Sequence, residues 1–357
     1  METKRVNELD LLRFFAAMTV VLFHYSFRGY AADAMSVMPY PLLAPFAKYG
    51  YLGVELFFII SGFVILMTAS NGSLRSFVVS RFVRLYPAFW AACTMTFVVT
   101  LAIGGVRYSA TIEQYLVNMT MLSGFVDVPP IDGVYWTLFV ELRFYALIAL
   151  LLIIGKIQHA QLIILLWLIG SIFLNIHPMY GLNILLIVDY SAYFIAGAAY
   201  YLIWSAGASF TRVGIIMVCW GFALFQSIGN LRFFEKTYNT NMSDYVVASI
   251  VSVFFFVMFL ISLKWTGRVA RYRWVLAGSL TYPLYLLHEN IGFMVFNLAY
   301  PVVNSHVLLL STLFVVLLIA YAVHILIEKR YAGKIKCAVN HVIDTTSRLI
   351  FAKSNGH

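Results

Sequence analysis

Long apolar runs separated by short polar or basic stretches recur along the whole chain, and ten are long enough to cross a bilayer as helices. They fall at about 9–29, 50–69, 88–104, 133–155, 161–177, 183–204, 211–229, 244–263, 275–299 and 306–327. The expected fold class is all-α, a polytopic membrane protein of about ten transmembrane helices. Residues 1–331 are expected to form the transmembrane domain and 332–357 a basic tail, with no soluble domain appended. The outer stretches 30–49 and 105–132 contain Pro39, Pro41, Pro45, Pro129 and Pro130, so they read as loops or short interfacial pieces. No internal repeat and no inverted halves are evident. The first span lacks a small-residue cleavage site, so it is expected to be retained.

Polar residues inside these runs are the exceptions that need a reason, because an ionisable group at membrane depth is costly without a partner or water. The first run carries Arg13 and His24. Eleven residues are about three helical turns, so both side chains leave one face ~16 Å apart along the axis. That spacing suits a long ligand held at one end and reacted at the other; a snorkelling Arg and a helix-packing His would fit it too. Counting rise per residue, His24, Glu141 in YWTLFVELRFY and His288 in LTYPLYLLHENIG share one layer ~10 Å below the outer surface. Glu55 in GVELFF lies nearer that face, and Arg13 lies near the other side.

Composition agrees with a membrane chain: 62% hydrophobic, 11% charged and a mean hydropathy of +0.88. Aromatic residues gather toward the ends of the runs, as interfacial belts do. The formal charge of +9 does not point to nucleic acid, because basic residues alternate between rich and poor loops. Seventeen of the 24 Lys and Arg fall on one side, which places both termini in the cytoplasm. Cys93 and Cys219 lie in spans and Cys337 in the tail, implying no disulfide framework, and no metal-ligand spacing occurs.

The loop SLRSFVVSRFVRLYP puts Arg75, Arg81 and Arg84 on a short amphipathic stretch before Pro87 opens the next span. Arginine forks match phosphate oxygens, so a nucleotide pyrophosphate is one reading and lipid headgroups are the other.

Taken in order, Arg13 and His24, GVELFFIISGF, Arg81 and Arg84 followed by LYP, YWTLFVE and YPLYLLH resemble acyltransferase family 3, integral membrane O-acyltransferases. The resemblance runs from Leu9 to about Tyr331. It implies transfer of an acyl group, most often acetyl, from cytoplasmic acyl-CoA to a hydroxyl of a surface glycan or lipid-linked sugar, with the protein in a bacterial cytoplasmic membrane. By position, Arg13 and His24 look like the family's signature pair, Arg81 and Arg84 like its CoA-facing arginines, and Glu141 like the acid of its tryptophan and glutamate motif. Arg143 sits where the resemblance implies an uncharged residue.

Catalysis is therefore expected at His24, Glu141 and Arg13, and acyl-CoA binding at Arg13, Arg81, Arg84 and Arg75. His288, Glu55, Trp136 and Tyr135 are candidates to bind the acceptor; His288 could equally bond a neighbouring helix. No metal is expected, membrane lipids are the surrounding partners, and an oligomer is possible. His24 would act as general base, oriented by Glu141, or as a nucleophile forming an acyl-histidine. Ser61, beside Gly62, reads as small-residue helix packing. The competing class is a proton-coupled transporter or flippase using the same buried groups.

Overall fold

A computed structural model describes residues 5–31, 34–70 and 72–354, with side chains as far as 345. Among these there is no strand. The principal helices are α1 (Asn7–Phe23), α2 (Gly53–Ser70), α3 (Leu74–Ile103), α4 (Trp136–Ile153), α5 (Ala160–Ile176) and α6 (Val188–Ala206). They continue as α7 (Phe210–Gly229), α8 (Asp244–Ser262), α9 (Val275–Leu287), α10 (Glu289–Ala299), α11 (Ser305–Val323) and α12 (Arg330–Ser354). Nine helical segments among the described residues are long and apolar enough to cross a membrane.

Two boundaries differ from the sequence expectation. The run 275–299 is not one helix: it breaks at His288, where side chains bond the neighbouring backbone. Asp132 Oδ2 accepts from the Asn290 N–H (3.1 Å), and the Tyr25 hydroxyl donates to the His288 carbonyl (2.8 Å). The arginine stretch and the span after it form a single 30-residue helix, α3, with Pro87 inside. Ser73 caps it by accepting from the Ser76 N–H. At ~45 Å, α3 outruns the ~30 Å hydrocarbon core, so about ten of its residues lie beyond the membrane's apolar depth. Toward the tail, a π-turn (His324–Lys329) joins α11 to α12 without interruption.

Small residues let the central helices approach. A Cβ at Gly62 would lie 2.1 Å from the Phe194 carbonyl oxygen, and one at Gly197 2.0 Å from that of Ile59. The α2–α6 crossing is therefore backbone against backbone, as expected where van der Waals packing drives association. Gly62→Ala is expected to destabilise by ~1–3 kcal/mol. A lowered thermal midpoint in detergent would register it, and an unchanged midpoint would refute so tight a crossing.

Loops knit each end. Asn7 donates to Ala270 O (2.8 Å) and Thr266 to Glu8 (2.6 Å), while Arg75 pairs with Asp344 of α12. At another set of loops, Tyr108 donates to Met35 O, Asn297 to the same carbonyl, and Tyr40 bonds His306.

Candidate active site

The first helix changes pitch where its polar residues begin. After Phe23 the chain runs as a π-turn, His24–Arg28, and such turns often mark functional positions. His24 is buried, at 5% exposure. Its Nδ1 lies 2.9 Å from Val20 O and 3.0 Å from His288 Nε2, and its Nε2 lies 3.0 Å from Arg28 Nη1. His288 Nδ1 is 2.8 Å from Tyr285 O.

This network assigns the protons. Arg28 can only donate, so His24 Nε2 accepts and Nδ1 carries the hydrogen. By the same logic the His288 Nδ1–H donates to Tyr285 O, leaving its Nε2 to accept from His24. Glu289 closes the cluster, 2.9 Å from Arg28 Nη1 and 3.6 Å from His24 Nε2. Gly133 makes room for it: a Cβ there would come within 2.7 Å of the Glu289 carboxylate. In the loop just before α4, burial and then the nearby Glu289 raise the Asp132 carboxyl well above the usual carboxylate range.

Two chambers share a wall beside this cluster. His24, Arg28, Tyr51, Glu55, Trp136 and Tyr190 line one, a cavity of about 610 Å³. Arg13, Ser61, Arg81, Arg84, Glu141 and Tyr145 line the other, about 730 Å³ including its open mouth. Val54 and Tyr285 border both, and the Tyr285 hydroxyl lies 2.9 Å from Thr137 Oγ1.

Two helices bring positive charge to the arginine chamber's walls and a third brings one carboxylate. Arg13 comes from α1, Arg81 and Arg84 from one face of α3, and Glu141 from α4. The single carboxylate accepts from Ser61 Oγ (2.8 Å). Among the described residues neither Arg13 nor Arg84 has a hydrogen-bond or ion-pair partner. Arg81 reaches Ser80 (3.3 Å) and faces the Tyr145 ring (5.9 Å). Guanidinium groups gathered with so little counter-charge suit a polyanionic ligand.

Several expected roles are redistributed. Glu141 does not accompany His24; α4 points it into the arginine chamber, and the carboxylate beside the imidazole is Glu289. Arg75 is not in that chamber either, because two turns of α3 separate it from Arg81 and it is engaged by Asp344 (2.6 Å) and Asn340 (3.0 Å). Tyr135 packs on Phe89 (5.0 Å) along a separate cavity, which Trp136 also borders. Arg143 donates to Ile184 O (3.0 Å) and stacks on Phe139 (4.7 Å), leaving Glu141 to Ser61. Glu55 does line the histidine chamber, and His288 bonds His24 directly.

Arg28, Glu289 and the polar role of Ser61 are additions from the structure. Arg28 stands four residues beyond His24, at the end of the same π-turn. Glu289 follows His288 inside an apolar run, so the rule that flagged the histidine applied to it as well.

Among proteins with known assignments, Nodulation protein 10 of Rhizobium leguminosarum bv. viciae is 31% identical over 173 residues, 42% of this chain and 45% of its own length. ORF330 of Acidianus two-tailed virus, provisionally named an acetyltransferase, is 27% identical over 141 residues, 39% of each chain. The chain thus spans less than half the length of these relatives. No solved structure matches. The family description "Acyltransferase domain", acyltransferase family 3, matches residues 6–325, nearly the whole chain. The chain belongs to that family.

Proposed function

We propose that the protein is a membrane O-acyltransferase that moves an acyl group, acetyl foremost, from cytoplasmic acyl-CoA to a hydroxyl of a glycan or lipid-linked sugar at the opposite face of a bacterial cytoplasmic membrane. The observation that carries this reading is the pair of chambers meeting at Val54 and Tyr285. Acyl-CoA has polyanionic phosphates, a slender arm and a reactive tip. Arg13, Arg81 and Arg84 would hold the phosphates, and the arm would pass the shared wall to bring the thioester to His24.

In direct transfer, the acceptor hydroxyl displaces Arg28 from His24 Nε2, and Arg28 keeps Glu289 as its partner. Nε2 takes the hydroxyl proton while the oxygen attacks the thioester carbonyl. The C–O bond forms, the C–S bond breaks, and the departing thiolate recovers the proton as free CoA. During the step the imidazolium is steadied by Glu289 on one side and by Val20 O and His288 Nε2 on the other. General-base help of this kind contributes ~10²- to 10⁴-fold.

The test is purified protein in lipid nanodiscs, supplied with acetyl-CoA, with free CoA and acylated sugar as readouts. CoA release with acyl transfer supports the reading; vectorial sugar movement without CoA consumption would replace it with a transporter. An acyl group trapped on His24 by acetyl-CoA alone would favour the covalent route over direct transfer.

A further inference from the structure

Attack on a thioester puts negative charge on the carbonyl oxygen, and a hydrogen-bond donor aimed at that oxygen lowers the barrier. The cluster around His24 handles protons but leaves this task open. His24 Nε2 takes the acceptor's proton, its Nδ1–H is held by Val20 O and His288, and Arg28 stays with Glu289. A donor for the carbonyl has to stand where the thioester passes from the arginine chamber into the histidine chamber. Among the described residues, the two side chains that border both are Val54, which has no polar atom, and Tyr285. We propose that the Tyr285 hydroxyl is that donor, a catalytic group that binds the acyl carbonyl oxygen and steadies the charge it gains; the proposal rests on the acyltransferase reading.

Tyr285 is buried and its ring is held between Phe57 (5.7 Å) and His288 (5.7 Å). Its hydroxyl has one close partner: Thr137 Oγ1, on the arginine chamber's wall, lies 2.9 Å from Tyr285 Oη and 3.0 Å from Val134 O. With Thr137 donating to Val134 O, the phenol hydrogen rests on Thr137 Oγ1. When a carbonyl arrives, Thr137 can turn its hydrogen to Tyr285 Oη, which frees the phenol hydrogen for the new oxygen. Only hydroxyl rotation is needed, so the donor is already in place. Other hydroxyls of the arginine chamber are committed elsewhere: Ser61 donates to Glu141 (2.8 Å), Thr281 to Ala277 O (3.0 Å) and Tyr282 to Leu85 O (3.2 Å). The backbone of Tyr285 serves the same centre, since its carbonyl accepts from His288 Nδ1 (2.8 Å), and His288 in turn backs His24. As the acceptor oxygen attacks, the C=O pair moves onto the carbonyl oxygen and Tyr285 donates a hydrogen bond to it, keeping its own proton. When C=O re-forms, the C–S pair leaves on sulfur and takes the proton held by His24.

The test uses full-length protein in nanodiscs and two readouts, CoA release from acetyl-CoA and the infrared band of a bound CoA ketone. In that ketone a CH2 group replaces the thioester sulfur, the carbonyl carries ¹³C, and no acyl group can be transferred. Tyr285→Phe keeps the ring against Phe57 and His288 and removes only the hydroxyl. It is expected to lower kcat by about 10²- to 10³-fold, with the KM for acetyl-CoA moved less than about twofold. The carbonyl band, drawn to lower frequency by the hydrogen bond in the unaltered protein, is expected to move back up. Thr137→Val, which only loosens the phenol, is expected to cost roughly 2- to 10-fold in kcat. A kcat within about threefold of the unaltered value in Tyr285→Phe would overturn the assignment, as would a band at the same frequency in both proteins; the acyltransferase reading would survive either. A rise in KM as large as the fall in kcat, with the band unmoved, would make Tyr285 a packing residue and overturn it too. An unaltered protein that neither binds the ketone nor releases CoA would sink the acyltransferase reading, and this role with it.

Discussion

CoA release from acetyl-CoA is expected to fall by about 10²- to 10⁴-fold in His24→Ala, the range that a positioned general base contributes. His24 and Arg28 both belong to the hydrogen-bonded cluster and to the lining of the chamber next to the donor path, and of the two only His24 can accept a proton. Without it, the acceptor hydroxyl keeps its proton through the attack, and nothing hands a proton to the departing thiolate. Folding must be checked separately, by a gel-filtration profile and thermal midpoint like those of the unaltered protein. Activity near the unaltered level would remove His24 from both the general-base and the acyl-histidine mechanisms. Glu289→Gln is a useful companion, since it keeps the shape of the cluster but takes away the charge opposite Arg28 and the imidazole.

The second large effect is expected at the arginines. Hydrogen bonds to charged groups are worth ~1.5–3 kcal/mol each, so Arg13→Ala and Arg84→Ala should each raise the KM for acetyl-CoA by roughly 10- to 150-fold. The loss should appear in KM more than in kcat, because the phosphates are held alike before and during transfer. Lysine at either position restores charge but not the two-pronged geometry, so only partial recovery is expected. Arg75→Ala provides the contrast. Its guanidinium is exposed and already paired with Asp344 away from the chamber, so KM should change by less than about twofold. Equal effects at Arg75 and Arg84 would mean that general surface charge, not the chamber, attracts the donor.

How much of this could be read in advance varies from residue to residue. The spans were legible because each apolar run carries its own signal, and the misreadings fall where local rules leave a choice. Pro87 looks like a helix opening, yet α3 passes through it. The run 275–299 looks continuous, yet Asp132 captures the Asn290 N–H that would have bonded within the helix. Arg13, Arg81 and Arg84 could be grouped by their side of the membrane, and the structure brings them to one cavity. Glu141 and His24 could be grouped by estimated depth. They nonetheless face different chambers, because depth says nothing about the direction in which a side chain leaves its helix.

By itself the sequence determined that this is a helical membrane chain of acyltransferase family 3 with ionisable groups among its apolar runs, since hydropathy, charge and motif order are properties of consecutive residues. Only the tertiary structure decided which of those groups meet. Glu289 rather than Glu141 stands by His24, and Arg28 lies inside. Each of these pairings joins residues far apart along the chain, and it is fixed by how the helices rotate and cross, at contacts such as Gly62 on Phe194 and Gly133 on Glu289.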